Sequence, residues 1–166
     1  MDVNLLAQIR DMSDSELYHH IYTDHLTSVG NRKAFEALKR DHLVAILDLD
    51  SLKYINDTYG HRVGDIHMIR LVNTLTKVFN HNQIFRLAGD EFAILGTYYM
   101  DLRNRLLSVY GLFPAFSFGI GTDLATADQQ LLTTKETRTH QGLRAKRGET
   151  PPWLFTLYNE VQLATA

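Results

Sequence analysis

The sequence predicts an α/β fold with a single mixed sheet that is flanked by helices and carries an internal β-hairpin. Strand-length apolar runs alternate with segments of helical periodicity, and two such runs flank one tight polar loop. The predicted order is helix, strand, helix, hairpin, helix, strand, helix, strand. Interleaved elements with one hairpin are typical of the palm-like or ferredoxin-like group.

Composition limits the possible functions. With 166 residues, 45% of them hydrophobic, the chain is long enough for one well-buried core. A net charge of -2 gives no overall attraction to nucleic acid or anionic membranes. The lack of cysteine excludes disulfides, thiolate metal sites and thiol catalysis. Because no apolar run approaches the ~20 residues that span a bilayer and the N-terminus shows no basic-then-apolar signal pattern, we expect a cytoplasmic protein without membrane insertion.

Residues 1–23 are predicted to form an N-terminal helical arm, with a second helical piece capped near Ser13 or Asp14 and Glu16 in its first turn. The arm is interpreted as a remnant stalk, as a dimerisation arm or as a helix packed on the domain. Residues 24–166 would form the globular domain.

Two acids follow the first predicted strand. The apolar run from Leu43 to Leu47 predicts a central strand buried on both faces, and the chain continues as Asp48-Leu49-Asp50. Alternation puts Asp48 and Asp50 on the same side of the sheet. Because unpaired buried carboxylates are costly, we expect them either to be solvated or to hold a cation.

A second pair of acids lies at the predicted hairpin, Arg86-Leu87-Ala88-Gly89-Asp90-Glu91-Phe92. Gly89 can adopt a positive φ and lets a ligand approach the backbone. The adjacent carboxylates of Asp90 and Glu91 indicate either a divalent-cation site or an ordinary solvated turn.

The remaining elements are predicted from periodicity. A helix is expected to open at Asp65, with His67 facing away from its apolar stripe, and a second helix is expected from Asp101 to Tyr110. Residues 115–120 alternate as in a strand, residues 128–147 form a weakly patterned basic segment, and Trp153 to Tyr158 would form a last strand.

Four ordered blocks resemble the GGDEF-domain diguanylate cyclase family over about residues 24–122. They are Asp24-x-Leu26-Thr27 with Asn31-Arg32; Asp48-Leu49-Asp50-x-x-Lys53-x-Ile55-Asn56-Asp57; Gly60-His61-x-x-Gly64-Asp65; and Arg86-x-Ala88-Gly89-Asp90-Glu91-Phe92. The resemblance implies a nucleotidyl cyclase fold and makes residues 24–166 a GGDEF-type catalytic domain with a divergent C-terminal part. Such domains condense two GTP into cyclic di-GMP with release of pyrophosphate, each GTP being held by one subunit of a homodimer.

The resemblance also implies a metal site. Attack of a ribose 3′-hydroxyl on an α-phosphate requires two cations, and hard oxygen ligands suit Mg²⁺ or Mn²⁺. By resemblance, Asp48 and Asp90 are metal ligands and the carbonyl of Leu49 assists. Glu91 is a second-metal ligand or helps to deprotonate the hydroxyl.

Nucleotide contacts follow from the same resemblance. Asn56 and Asp65 match the pair that reads guanine, and Lys53 matches a phosphate-contacting lysine. Backbone N–H groups around Ser51 and Leu52 would help to hold the phosphates, and the nucleotide would pass close to Ala88 and Gly89. Arg86 and His61 are expected to make structural hydrogen bonds.

The chain departs from the family pattern at three places. Ala88 replaces the usual glycine, which predicts weaker turnover. Phe79 and Asn82 stand where the product-inhibition site has Arg and Asp, so we expect no feedback inhibition through that site. In place of the basic C-terminal motif the chain has only a loosely similar segment, in which Lys146 and Arg147 are candidates for the phosphate contacts.

Two other functions stay open at this point. A degenerate GGDEF domain would bind GTP or cyclic di-GMP and signal through partner contacts. An RNA-binding sheet is a further alternative because Phe116 and Phe118 alternate on one strand, although basic residues do not cluster around them and no nucleic-acid partner is expected.

Overall fold

A computed structural model describes residues 10–39, 41–113, 115–146, 148–151 and 153–154. The helices are α1 (Asp14–Tyr22), α2 (Arg32–Leu38), α3 (Leu52–Tyr59), α4 (His61–Leu75), α5 (Tyr99–Leu112) and α6 (Leu124–His140). The strands are β1 (Gly30–Asn31), β2 (Leu43–Leu49), β3 (Ile84–Ala88), β4 (Glu91–Gly96) and β5 (Phe116–Gly121), and a 3₁₀ turn spans His81–Gln83.

The five strands form one sheet in the order β1-β3-β4-β2-β5. β1 runs parallel to β3, and the other pairs are antiparallel, so the sheet is mixed. The predicted fold class and the internal hairpin are confirmed. The two-residue strand β1 is too short to give a periodic signal, which explains why the sequence does not predict it.

β2 is buried on both faces, as its apolar run predicts. Ala45 and Leu47 join a core cluster with α4 and α5, whereas Val44 and Ile46 join a second cluster with residues of α2 and α6. Because side chains alternate along a strand, Asp48 lies on the α6 side of the sheet. No described helix combines the length and the apolar character that crossing a bilayer requires.

Two glycines of β5 let α6 pack directly on the sheet. A Cβ at Gly119 would lie 2.2 Å from the carbonyl oxygen of Ala127, and one at Gly121 would lie 2.4 Å from the amide nitrogen of Ala127. Any side chain here would push the helix away. The glycines therefore set the close approach that brings α6 to the acids at the end of β2.

Several local predictions can be compared with the structure. The α1 cap is confirmed, because the Ser13 side chain accepts from the amide of Glu16 and the Glu16 carboxylate accepts from the amide of Ser13. The last strand is not confirmed: Trp153 lies in a turn, Leu154 is helical, and residues 155–158 lie outside the described part. Phe116 is buried in the core, so β5 does not present the aromatic pair that an RNA platform needs.

The prediction for the helix at Asp65 was wrong in two respects. α4 begins at His61, after Gly60 with φ 86°, so Asp65 lies in its second turn. His67, expected to face away, is 1% exposed and stacks on Trp153 with ring centroids 4.8 Å apart. A neutral imidazole packs as an aromatic ring here, which polarity patterns do not reveal.

His67 should make the protein sensitive to acid. Burial, together with the nearby charge of Arg70, lowers the pKa of His67 to about 3, and its ring nitrogens have no hydrogen-bond partner among the described residues. Because this pKa lies below the unfolded value near 6.5, its contribution to stability is complete above about pH 6.5 and is lost as the pH falls toward 3.

The free energy of unfolding of the wild type should decrease between pH 7 and pH 4. We expect this decrease to be smaller by about 3 kcal/mol in His67→Phe. Urea denaturation of both proteins at a series of pH values measures this difference. The contributions of the other titrating groups to the pH dependence are common to both proteins and cancel in the comparison. Parallel pH profiles for the two proteins would contradict the assignment.

Candidate active site

The two acids at the end of β2, Asp48 in the strand and Asp50 just after it, both face α6, but they have different partners. Asp48 is 9% exposed, and its Oδ2 lies 2.8 Å from the Nζ of Lys135. Asp50 is fully buried and is held by arginines instead. The prediction that alternation places both acids on one side is confirmed.

The environment of Asp48 favours a cation. Burial raises the pKa of Asp48, the ion pair with Lys135 lowers it, and the charges of Asp90 and Asp50 raise it further; the net direction is upward. The upward direction means that burial, together with the two neighbouring acids, outweighs the effect of Lys135 on the carboxylate. A divalent cation at this position would supply further positive charge.

Asp50 is the centre of a buried ionic network. Its Oδ2 accepts from Nη1 of Arg138 at 2.7 Å, and its Oδ1 accepts from Nε of Arg144 at 2.8 Å and from Oγ of Ser117 at 2.9 Å. Asp50 was expected either to be solvated or to hold a cation. The expectation of solvation is wrong, and the cationic groups that pair with Asp50 are the guanidinium groups of Arg138 and Arg144. The network fixes the end of α6 and the chain that follows it against β2.

The hairpin tip is fixed by Arg86, as the sequence predicts. Its guanidinium donates from Nη2 to the carbonyl oxygen of Gly89 at 2.9 Å and forms an ion pair with Asp24 at 3.2 Å. Gly89 has φ 45°. The amide of Leu49 donates to the carbonyl oxygen of Asp90 at 3.1 Å, which ties the tip to the end of β2.

A cavity of about 560 Å³ lies where these elements meet. Its walls include seven of the predicted site residues, namely Asp48, Leu49, Ser51, Leu52, Lys53, Asp90 and Lys146. Lys135, Arg144 and Asp57 also line it. The cavity therefore combines carboxylates at one wall with several basic side chains, an arrangement suited to a metal-bound polyphosphate.

Other predicted residues lie outside this cavity. Glu91 is exposed at the first position of β4, opposite Asp48 in the strand register. Ala88 and Gly89 line a separate cavity of about 410 Å³ together with Arg32. Arg147 lies outside the described residues.

Asn56 packs against the residue that precedes Asp65. Its Oδ1 is buried and has no hydrogen-bond partner among the described residues. A Cβ on Gly64 would lie 2.0 Å from this atom, so only glycine at that position leaves room for the amide. The packing brings Asn56 of α3 next to the second turn of α4, where Asp65 lies.

α3 begins at the cavity. Ser51 has φ 66° and precedes the helix without a side-chain cap, which leaves the first N–H groups of α3 available. Lys53 is 78% exposed and pairs with Asp57 at 3.0 Å. The lysine is therefore at the cavity rim with freedom to move.

Three basic residues of the site were missed in the sequence: Lys135, Arg138 and Arg144. Lys135 and Arg138 are three residues apart, so they share one face of α6. That spacing was the available signal. It was weak because α6 buries few apolar residues and has no clear apolar stripe.

The residues present fit a magnesium ion. Within the described ranges no group of three or more His, Cys, Asp or Glu side chains converges. Mg²⁺ needs fewer, since it keeps several waters and commonly takes one or two carboxylates together with substrate phosphates. Asp48, Asp90 and the carbonyl of Leu49 provide such a set, and an ammonium already pairs with Asp48.

Comparison with known proteins identifies the family of this chain. Residues 21–102 match the family model described as "Diguanylate cyclase, GGDEF domain". This chain belongs to the GGDEF domain family. The residues that match the GGDEF model include the end of β2 and the β3–β4 hairpin, which carry Asp48 and Asp90. α6 lies beyond the matched residues.

Curated relatives of the GGDEF chain include diguanylate cyclase DgcP of Escherichia coli, 38% identical over 105 residues, which are 55% of this chain and 30% of DgcP. The biofilm architecture maintenance protein MbaA of Vibrio cholerae is 42% identical over 90 residues, which are 43% of this chain and 11% of MbaA. The chain thus spans less than a third of these relatives.

Solved GGDEF structures share the fold. The GGDEF domain of YfiN from Pseudomonas aeruginosa has a TM-score of 0.62 at 24% identity, covering 70% of this chain and 90% of that one. DgcB from Caulobacter crescentus, in complex with c-di-GMP, has a TM-score of 0.60 at 18% identity, covering 85% and 91%.

Proposed function

We propose that this domain is a diguanylate cyclase that condenses two GTP molecules into cyclic di-GMP with release of pyrophosphate. The observation that carries the proposal is the junction of Asp48 and Asp90 at one cavity, beside basic side chains, in a GGDEF family member. Mg²⁺ held by these acids and the carbonyl of Leu49 would activate the 3′-hydroxyl and offset phosphate charge.

The protein's own residues position the substrate. The N–H groups that open α3 after Ser51 bind the terminal phosphates, and Lys53 and Lys146 at the cavity wall offset their charge. Glu91, beside Asp48 in register, acts as a second metal ligand or accepts the proton of the attacking hydroxyl. Each subunit of a homodimer holds one GTP.

Guanine specificity rests on Asn56 and Asp65. The Oδ1 of Asn56 is an acceptor without a hydrogen-bond partner in the described part of the chain, and a guanine N–H donor would satisfy it. Asp65, on the neighbouring turn of α4, accepts from the same edge of the base. Adenine has no equivalent pair of donors there, so the site favours GTP over ATP.

Product inhibition through the Arg-x-x-Asp site is absent in this proposal. Phe79 stands at the arginine position and is 4% exposed within the core, so it offers no donor to a phosphate. Asn82 lies in the exposed 3₁₀ turn and lacks the acid. Cyclic di-GMP should therefore accumulate without feedback through this surface.

The alternative is a domain that binds GTP or cyclic di-GMP and acts through partner contacts. The ion pair that joins Lys135 to the proposed metal ligand Asp48 favours it, because an ammonium group already contacts one oxygen of this carboxylate. Incubation with GTP and Mg²⁺, followed by chromatography, separates the two functions. The cyclase yields cyclic di-GMP; bound nucleotide without product at high enzyme concentration would support the alternative.

Gly64→Ala should weaken GTP binding about tenfold. The new methyl group would displace the Asn56 side chain, and loss of one buried hydrogen bond to the base costs about 1–3 kcal/mol. Titration calorimetry with GTP measures the change. Gly111→Ala on α5 is the matched control, because its Cβ meets open space.

The effect should also depend on Asn56. In an Asn56→Ala background, Gly64→Ala should add little, since the group that it displaces is already gone. Unchanged GTP affinity in the single Gly64→Ala variant, at an unchanged melting temperature, would rule out this role of Asn56.

A further inference from the structure

α6 places an ammonium group directly on the proposed metal ligand. The Nζ of Lys135 lies 2.8 Å from Oδ2 of Asp48, and the two side chains are only 22% and 12% exposed. The lysine is held on a rigid support, because α6 packs on Gly119 and Gly121 and is anchored by Arg138 one turn later. The contact is therefore a partly buried ion pair at the cavity wall and differs from an exposed surface pair.

The charges around Lys135 direct it to Asp48. Asp50 is already matched by Arg138 and Arg144, which leaves the ammonium for the acids at the cavity wall. A divalent cation at Asp48 would lie within a few ångströms of this ammonium. Because both are partly shielded from water, their repulsion is stronger than between surface charges.

We propose that Lys135 is a built-in competitor for the divalent cation at Asp48, so that metal alone binds weakly and metal with triphosphate binds cooperatively. The inference rests on the proposed metal role of Asp48. Lys135 lines the same cavity as Lys53 and Lys146, so the phosphates of an incoming nucleotide offer its ammonium a new partner. Transfer of Lys135 from Asp48 to the phosphates frees the carboxylate for the metal. Each ligand then raises the affinity of the other.

Mn²⁺ binding without nucleotide tests this competition, with free Mn²⁺ measured by electron paramagnetic resonance. Lys135→Met should bind Mn²⁺ about tenfold more tightly than the wild type. Lys135→Arg keeps the charge and should bind as weakly as the wild type. Lys77→Met removes an exposed lysine and controls for net charge.

Melting temperatures with and without Mn²⁺ keep the test valid if Lys135→Met is less stable than the wild type. In chelator, Lys135→Met should melt below the wild type because Asp48 loses its partner, and Mn²⁺ should raise its melting temperature more than that of the wild type. The same gain must vanish when Asp48→Asn is added to Lys135→Met.

Lys135→Met that binds Mn²⁺ no more tightly than the wild type overturns the inference. So does an equal gain in Lys77→Met, or a gain that persists without Asp48. The proposed cyclase function fails separately: tighter Mn²⁺ binding by Lys135→Met, with no cyclic di-GMP made by the wild type, would leave the competition standing and remove the activity.

Discussion

Asp90→Asn should lower the Mg²⁺-dependent formation of cyclic di-GMP by about 1000-fold and leave the melting temperature within a few degrees of the wild type. The amide has the same shape but lacks the charge that holds a divalent cation. The fold should survive because the bond to Leu49 is made by the backbone carbonyl of Asp90, which the substitution leaves unchanged.

Asp57→Asn is the matched control for this change. Asp57 lines the same cavity but is 63% exposed and pairs with Lys53 at the rim, so its loss should reduce turnover only a few-fold. Chromatographic product assays at equal enzyme concentration compare the variants. If Asp90→Asn kept a tenth of the activity, or if both variants lost it equally, the metal role of Asp90 would be wrong.

Asp50→Asn should destabilise the protein by about 3–5 kcal/mol, because it removes the buried carboxylate that pairs with both Arg138 and Arg144. For a domain of this size, the melting temperature should fall by about 10 °C. Urea unfolding and thermal melts measure both quantities. A loss below about 1 kcal/mol would mean that the network contributes little to the native state.

Arg144→Met separates the structural part of this network from its effect on the nucleotide. Arg144 is 27% exposed, and its removal leaves Asp50 with Arg138 and Ser117. We expect a loss of only about 1 kcal/mol. The KM for GTP should rise more than kcat falls, because the chain that carries Lys146 loosens while the carboxylates stay in place.

Local patterns are enough to predict the strands that carry the acids. The apolar run that ends at Asp48 and the acidic tip at Asp90 each lie in an element with a clear period or turn signal. Alternation also places Asp48 and Asp50 on the same side, which the contacts to α6 confirm. For this part of the site, the sequence determines geometry through short-range rules.

The partners of those acids could not be predicted in the same way. Lys135 is far from Asp48 in the chain, and the two meet only because glycines in β5 let α6 come close. α6 has a weak apolar pattern, so its inward face was not evident. Tertiary packing, which no local period encodes, determines these contacts.

His67 and Asn56 show a second limit of sequence patterns. Tertiary contacts bury the ring of His67, which stacks on Trp153, and the Oδ1 of Asn56, which packs on Gly64. A polarity pattern assigns such residues to the surface. For Asn56 the family resemblance supplied a role that periodicity alone could not.

The measurement that tests the central claim most directly is the balance of products from GTP. We expect the wild-type protein with Mg²⁺ to form one cyclic di-GMP for every two pyrophosphates released, with no product from ATP and none in the presence of chelator. Bound GTP without cyclic di-GMP, or pyrophosphate release without the cyclic dinucleotide, at high enzyme concentration would contradict the proposed function.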